Sequence, residues 1–361
     1  MRLLAKCAKI PLPSKTRHLL IAISVLYLIY CFRPKSSHER SECREQYHYN
    51  RTYPLTPPLV FGNQVKYRVA VISDLDRDSK QGNVWVSRLL RGFLIYYKNE
   101  KFIRFEWDSK PLLLQSKLTL NGRGMELSEL AVFNGRLYSC DDRTGIVYEL
   151  RNDMLIPWVI LTDGNGSTSK EFKCEWIAIK GQNMYVGSLG KEWTSVTGEL
   201  ENYNPQWVKV ISVTGEVKHI DWRENYLALR SSVGIYYPGY MIHESAAWSN
   251  IARKWFFLPR RASHSAYNEI DDETKGTNVL LTADESFSLI ESTQIGSVIS
   301  SRGFSSFKFL PNSDDKIIIA IKSEEYRGEI ASYITAFTVD GEVLLDEQKI
   351  DQIKYEGFEF I

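Results

Sequence analysis

Leu130-Ala131-Val132-Phe133-Asn134-Gly135-Arg136-Leu137-Tyr138-Ser139 reads as two short strands around an Asn-Gly turn. Asn-Gly supplies the left-handed backbone of a two-residue hairpin, and the flanking apolar and aromatic residues suit a pleated surface. The same cadence returns in Trp176-Ile177-Ala178-Ile179-Lys180-Gly181-Gln182-Asn183-Met184-Tyr185-Val186-Gly187. Residues 307–310 and 316–321 flank Pro311-Asn312-Ser313-Asp314-Asp315, and residues 336–345 enclose Asp340-Gly341. Tyr67-Arg68-Val69-Ala70-Val71-Ile72 is another short apolar run, and it ends in Ser73-Asp74-Leu75-Asp76. No stretch shows a long amphipathic helical period. Many short strands with regular turns indicate a sandwich, barrel or propeller. Repeats of about 40–50 residues, with no linker dividing 60–361, favour an all-β propeller.

Composition narrows the classes further. The chain is 43% apolar and 25% charged, which excludes a disordered or low-complexity chain. Lys+Arg total 45 against 44 for Asp+Glu, so the basic excess of a nucleic-acid binder is lacking. Five of those bases (Arg2, Lys6, Lys9, Lys15, Arg17) lie before an uncharged run, Leu19-Leu20-Ile21-Ala22-Ile23-Ser24-Val25-Leu26-Tyr27-Leu28-Ile29-Tyr30-Cys31-Phe32. The run is shorter than the ~20 residues of a comfortable membrane span, but Arg17 and Arg33 can snorkel and lengthen it. Tyr30-Cys31-Phe32-Arg33-Pro34 offers no small-x-small cleavage site. The expected order is therefore a cytosolic basic tail (1–17), a single-pass signal anchor (18–32), a Pro-containing lumenal stem (33–60) and the propeller body (61–361). A cleaved signal and a secreted product is the alternative. Two sequons, Asn50-Arg51-Thr52 and Asn165-Gly166-Ser167, agree with a lumenal body. Cys43, Cys140 and Cys174 are too few for a disulfide scaffold, and no CxxC suggests zinc. A Cys140–Cys174 bridge is open to the chain, as is a homodimer linked through Cys43.

Polar groups stand beside apolar strands at Ser128-Glu129, Glu175, Glu244, Ser305 and Glu356. Their separations of 47, 69, 61 and 51 residues approach one position per propeller blade. Equivalent points on successive blades converge on the central channel. Carboxylate and serine oxygens gathered there suit a hard cation, and calcium takes six to eight oxygens. Taken singly, each Glu reads as a solvated strand end.

Seven motifs carry a family resemblance. They are Gly122-Arg123-Gly124-Met125-Glu126-Leu127-Ser128, Asp141-Asp142-Arg143-Thr144-Gly145, Gly190-Lys191-Glu192-Trp193, His243-Glu244-Ser245, Leu258-Pro259-Arg260-Arg261-Ala262-Ser263, Gly303-Phe304-Ser305-Ser306-Phe307-Lys308-Phe309 and Lys354-Tyr355-Glu356-Gly357. Together they resemble the soluble calcium-activated nucleotidase (apyrase) family, from about Tyr53 to Ile361, in its membrane-anchored vertebrate form. The resemblance implies a five-bladed β-propeller with one Ca2+ in the channel. It also implies hydrolysis of nucleoside di- and triphosphates, with UDP and GDP as good substrates. The ligand positions it implies are Ser128, Glu129, Glu175, Glu244, Ser305 and Glu356; the family commonly has Asp where Glu129 stands. With the anchor, it implies a type II Golgi or endoplasmic reticulum enzyme that supports glycosylation. A secreted ADP/ATP apyrase and a non-catalytic calcium-stabilised propeller are the alternatives.

Charge then limits the mechanism. Four glutamates around one Ca2+ sum to −2 and would repel a nucleoside diphosphate of about −3. Cations must offset this, and Arg143, Lys191 and Arg260 are the substrate-binding candidates. Arg261 is a fourth candidate from the same motif, although a surface ion pair is its preferred reading. Asp74, Asp76 and Asp142 are the candidates for orienting the attacking water, with Asp141 beside them. Trp193 is open to stacking on a base or to a core role. Other phosphate machinery fails: Gly190-Lys191 lacks the rest of a Walker loop, and Asp163-Gly164-Asn165-Gly166-Ser167-Thr168 reads as an ordinary turn.

Overall fold

The computed structural model describes residues 48–361, of which Tyr49–Ile361 form one compact unit. The seven-stranded first sheet holds β1 (Leu59–Phe61), β2 (Gln64–Ser73), β3 (Lys80–Gln81), β4 (Val84–Tyr97), β5 (Phe102–Trp107), β6 (Leu112–Ser116) and the last strand, β25 (Tyr355–Phe360). Next comes a four-stranded sheet of β7 (Leu127–Phe133), β8 (Arg136–Asp141), β9 (Ile146–Arg151) and β10 (Met154–Ile160). The following sheet joins β11 (Trp176–Lys180) and β12 (Asn183–Gly187) to β15 (Trp207–Ser212) and β16 (Val217–Asp221). Between them the chain makes a small separate hairpin, β13 (Trp193–Thr194) with β14 (Leu200–Asn202). Then β17 (Tyr240–Ser249), β18 (Lys254–Ser263), β19 (Val279–Asp284) and β20 (Ile290–Gln294) form a sheet. The last four-stranded sheet is β21 (Arg302–Phe309), β22 (Ile317–Tyr326), β23 (Glu329–Thr338) and β24 (Val343–Asp351).

Four sheets are thus antiparallel four-stranded blades, and the architecture is all-β and propeller-like. Turn chemistry explains the strand order. Asn134 and Gly135, at φ 50° and 69°, make the left-handed pair that joins β7 to β8, with Phe133 opposite Arg136. Apolar clusters fill the spaces between neighbouring sheets. Leu94, Ile321 and Phe358 pack the first sheet on the last, and Trp176, Trp255 and Phe257 join the β11 and β17 sheets. The first strand of each four-stranded sheet and the last strand of the chain touch in a closed cycle, β25 to β7, β11, β17, β21 and back to β25. β25 approaches β7 closely because residue 357 is glycine: a Cβ there would lie 2.6 Å from the Leu130 nitrogen.

Residues 49–60, expected in the stem, pack on this body. Tyr49 lies against Phe133 at 5.7 Å, the Tyr53 hydroxyl donates to Glu359 at 3.0 Å, and β1 pairs with β2. An irregular, Pro-rich segment gave no sign of this, since its order comes from side chains docking on a distant surface. The expected tail and anchor, 1–32, lie outside the described residues. Among the described residues no helix is long and apolar enough to cross a membrane.

Candidate active site

Four of the five strands in the cycle carry a register shift at an expected ligand position. Pairing skips Ser128 in β7, Glu244 with Ser245 in β17, Ser305 in β21 and Glu356 in β25. In the fifth, Glu175 sits one residue before β11, its N–H bonded to the Gly187 carbonyl at 2.8 Å. A β-bulge bends its strand and re-aims a side chain. Five expected ligand positions therefore stand at or next to an irregularity or start of the strands in the cycle.

A cavity of about 480 Å³ opens beside three of them, Glu175, Glu244 and Glu356. Asp74, Asp76, Asp142, Arg143, Glu175, Lys191, Glu244, Arg260 and Glu356 all line it. Each comes from a loop or strand end fixed by the sheets. Asp74 and Asp76 follow β2, where the Asp74 N–H donates to the Lys354 carbonyl and the Asp76 N–H to Asp74 Oδ1 (2.9 and 2.7 Å). Asp142 and Arg143 follow β8. Asp141, by contrast, accepts from the Met125 and Arg143 N–H groups and holds the turn.

Ser128, Glu129 and Ser305 are buried outside the cavity lining. The Ser128 and Ser305 hydroxyls have no hydrogen-bond partner. Glu129 is occupied: Oε1 accepts from the Ser306 hydroxyl at 2.7 Å and the Leu130 N–H at 2.9 Å, and Oε2 pairs with Lys308 at 3.1 Å.

Every carboxylate in the cavity floor faces a cation. Lys354 Nζ lies 2.7 Å from Asp74, 2.8 Å from Asp76, 3.6 Å from Glu325 and 3.8 Å from Glu356. Arg260 pairs with Glu244, with Glu325 at 2.5 Å and with Glu356 at 3.0 Å. Lys173 pairs with Asp142 at 2.5 Å and touches Glu175. Arg143 reaches Glu126 at 3.0 Å and Asp142 at 3.5 Å. Lys191 donates to the Glu192 carbonyl at 2.9 Å and to Thr194 Oγ1 at 3.2 Å. Trp193, half-buried at the cavity wall, has Lys170 over its ring at 4.1 Å.

These pairs do not keep the acids at ordinary strength. Burial pushes Glu175 up to about 8, with Glu244 and Asp142 adding to it and Lys173 opposing it. Burial lifts Asp74 to about 7 against the pull of Lys354, and raises Glu356 well above its usual range. Asp76, closer to solvent, is lowered by Lys354, Arg123 and Arg143, which outweigh its partial burial. Buried carboxylates held near neutrality are those that a further cation would ionise.

The donor set suits calcium. Glu175, Glu244 and Glu356 supply carboxylates, and Ser128 and Ser305 supply buried hydroxyls that nothing among the described residues satisfies. All are oxygens, with no thiol or imidazole among them. His243, next to Glu244, is buried between Tyr226 and Phe257 and held neutral by desolvation, so it contributes no charge.

Lys173, Lys354 and Glu325 belong to the site without having been singled out in the sequence. A signal was present: Lys173-Cys174-Glu175 and Lys354-Tyr355-Glu356 share a Lys-x-Glu spacing at strand starts. Extended backbone places residues i and i+2 on one face.

A family model described as Apyrase matches residues 74–361, which contain all of these groups. The chain belongs to the apyrase family. Mouse soluble calcium-activated nucleotidase 1 is 54% identical over 87% of this chain and 78% of its own length. An apyrase of Cimex lectularius is 46% identical over 94% of this chain and 95% of its own. Apyrase apy-1 of Caenorhabditis elegans is 47% identical over 82% of this chain and 84% of its own. Within this apyrase, Cys140 and Cys174 are both buried free thiols, so the bridge between them that the sequence left open is not formed.

Proposed function

We propose that this apyrase is a Ca2+-dependent nucleoside diphosphatase. It would hydrolyse the terminal phosphoanhydride of UDP and GDP, and more weakly that of other nucleoside di- and triphosphates. The observation that carries this reading is a set of oxygen-bearing side chains at irregular inner-strand positions, three of which, Glu175, Glu244 and Glu356, line a charged cavity. The names of the mouse and rat relatives support the calcium requirement. In this reading the seven-stranded sheet serves as a fifth blade closed by β25, for which the cycle of inner strands speaks.

Glu175, Glu244, Glu356, Ser128 and Ser305 would hold the ion. Glu129, the sixth position the resemblance implies, is assigned instead to holding Ser306 and Lys308 beside Ser305. Bound calcium supplies charge neutralisation at the floor of the cavity. The chain's own residues do the rest. Arg143 and Lys191 face the cavity as cationic donors for phosphate oxygens. Asp142, paired with Lys173 and near Arg143, would orient an attacking water, with Asp74 and Asp76 held by Lys354. Trp193 and Tyr267 offer aromatic faces to a base at the wall.

With the anchor read at 18–32, the enzyme would be a type II protein of the Golgi or endoplasmic reticulum. There it would remove the nucleoside diphosphates that glycosyl transfer from nucleotide sugars leaves behind. Phosphate release across a panel of UDP, GDP, ADP, UTP and ATP, in calcium and in chelator, tests the proposal. Release from UDP and GDP in calcium alone supports it; equal activity in chelator refutes it.

A further inference from the structure

The cavity is lined by ten carboxylates and six cations, so one divalent ion leaves its formal charge at −2. A nucleoside diphosphate needs a cation whose charge is not already committed. Arg260 is fixed by three carboxylates, and Lys354 and Lys173 are held in the same way. The neighbouring Arg261 differs. Its side chain is only 3% exposed, and Nη1, itself shut from solvent, has no hydrogen-bond partner among the described residues. Its one ion contact is Nε to Asp272, at 3.9 Å, and that carboxylate already accepts the Tyr240 hydroxyl at 2.5 Å. The guanidinium is seated by Gly303, where a Cβ would lie 3.0 Å from Nη1 and 2.4 Å from Arg260 Cγ.

We infer that Arg261, and not Arg260, anchors the terminal phosphate of the substrate. Arg261 lines the cavity, and a guanidinium there that no close carboxylate holds is a preorganised partner for phosphate oxygens. Arg260 instead sets the positions of Glu244 and Glu356. The inference rests on the nucleotidase reading above and names the residue that reads the terminal phosphate.

The test uses the full-length chain with calcium present. It compares KM for UDP, binding of α,β-methylene-UDP and inhibition by UMP, which lacks the terminal phosphate. Arg261→Met should raise KM and weaken the analogue by about tenfold or more. UMP inhibition and the calcium-induced rise in Tm should stay near wild type. Analogue binding and KM within about twofold of wild type would overturn the assignment. Should Arg261→Met fail to fold, Arg261→Lys decides, because it keeps the charge but loses the planar fork: a raised KM supports the anchor and an unchanged KM overturns it. If the wild-type chain neither binds the analogue nor releases phosphate, the nucleotidase reading itself has failed.

Discussion

Replacing Arg260 by Met separates the calcium reading from a purely structural one. Arg260 and its partners Glu244 and Glu356 have side chains 7%, 12% and 6% exposed, so the pairs are buried; Glu325, at 37%, is wetter and counts for less. Removing one partner of a buried pair costs about 3–5 kcal/mol, because the other charge stays buried and uncompensated. Unfolding entropy near the melting point is roughly 2.1 cal/mol/K per residue. Over residues 48–361 this makes about 1.5 °C of Tm per kcal/mol, or a loss of ~5–8 °C in chelator. If Glu244 and Glu356 are calcium ligands, the ion takes over the neutralising role of Arg260. The loss in saturating calcium should then fall below about half of that in chelator, because a ligand that binds only the folded state stabilises it. The calcium-induced rise in Tm is therefore larger for the variant than for wild type. Differential scanning fluorimetry in both buffers reads this directly. An equal loss with and without calcium would show that the ion does not sit on those carboxylates.

Four other expectations concern pH, Glu129, packing and the thiols. Glu175 is raised to about 8 and Asp74 to about 7, both mainly by burial, so their folded forms prefer the proton. Their contribution is full below the ordinary carboxylate range and is lost as pH rises through those values. The calcium-free protein should therefore melt lower at pH ~8 than at pH ~5, and calcium affinity should rise over that window with release of protons; a Tm in chelator that rises across it contradicts the assignment. Glu129→Ala leaves Lys308 buried without its 3.1 Å partner and should cost about 3 kcal/mol equally with and without calcium, read by denaturant melts. Gly187→Ala puts a Cβ 1.9 Å from the Trp176 ring and should strongly lower soluble yield and Tm. Buried Cys140, its thiol pushed well up by burial, and Cys174 should resist iodoacetamide in the native protein and react after unfolding, as peptide mass spectrometry would show.

The sequence carried the repeating strand pattern, because turns such as Asn134-Gly135 and strands such as 176–180 and 183–187 are local events. One oxygen-bearing position per inner strand was legible from the spacing of Glu175, Glu244, Ser305 and Glu356. Which of two neighbours faces the axis was not. Ser128 and Glu129 are adjacent, and only the register slip in β7 separates an unpartnered hydroxyl from a carboxylate committed to Lys308. The same ambiguity ran through Arg260 and Arg261, whose roles depend on which carboxylates three other strands bring near. Residues 49–60 read as stem because their order is tertiary. Glu325 gave no signal at all: it sits in an ordinary strand, and its role comes from the Arg260 and Lys354 side chains that reach it.

The most direct test is a crystal structure of the protein grown with calcium and phased to locate the ion by its anomalous signal. The expected result is a single strong peak on the channel axis, about 2.3–2.6 Å from oxygens of Glu175, Glu244 and Glu356, with Ser128 and Ser305 closing the shell. A peak elsewhere, or an axis where Arg260 still holds Glu244 and Glu356 and no ion stands between them, would contradict the placement of the metal and the mechanism built on it.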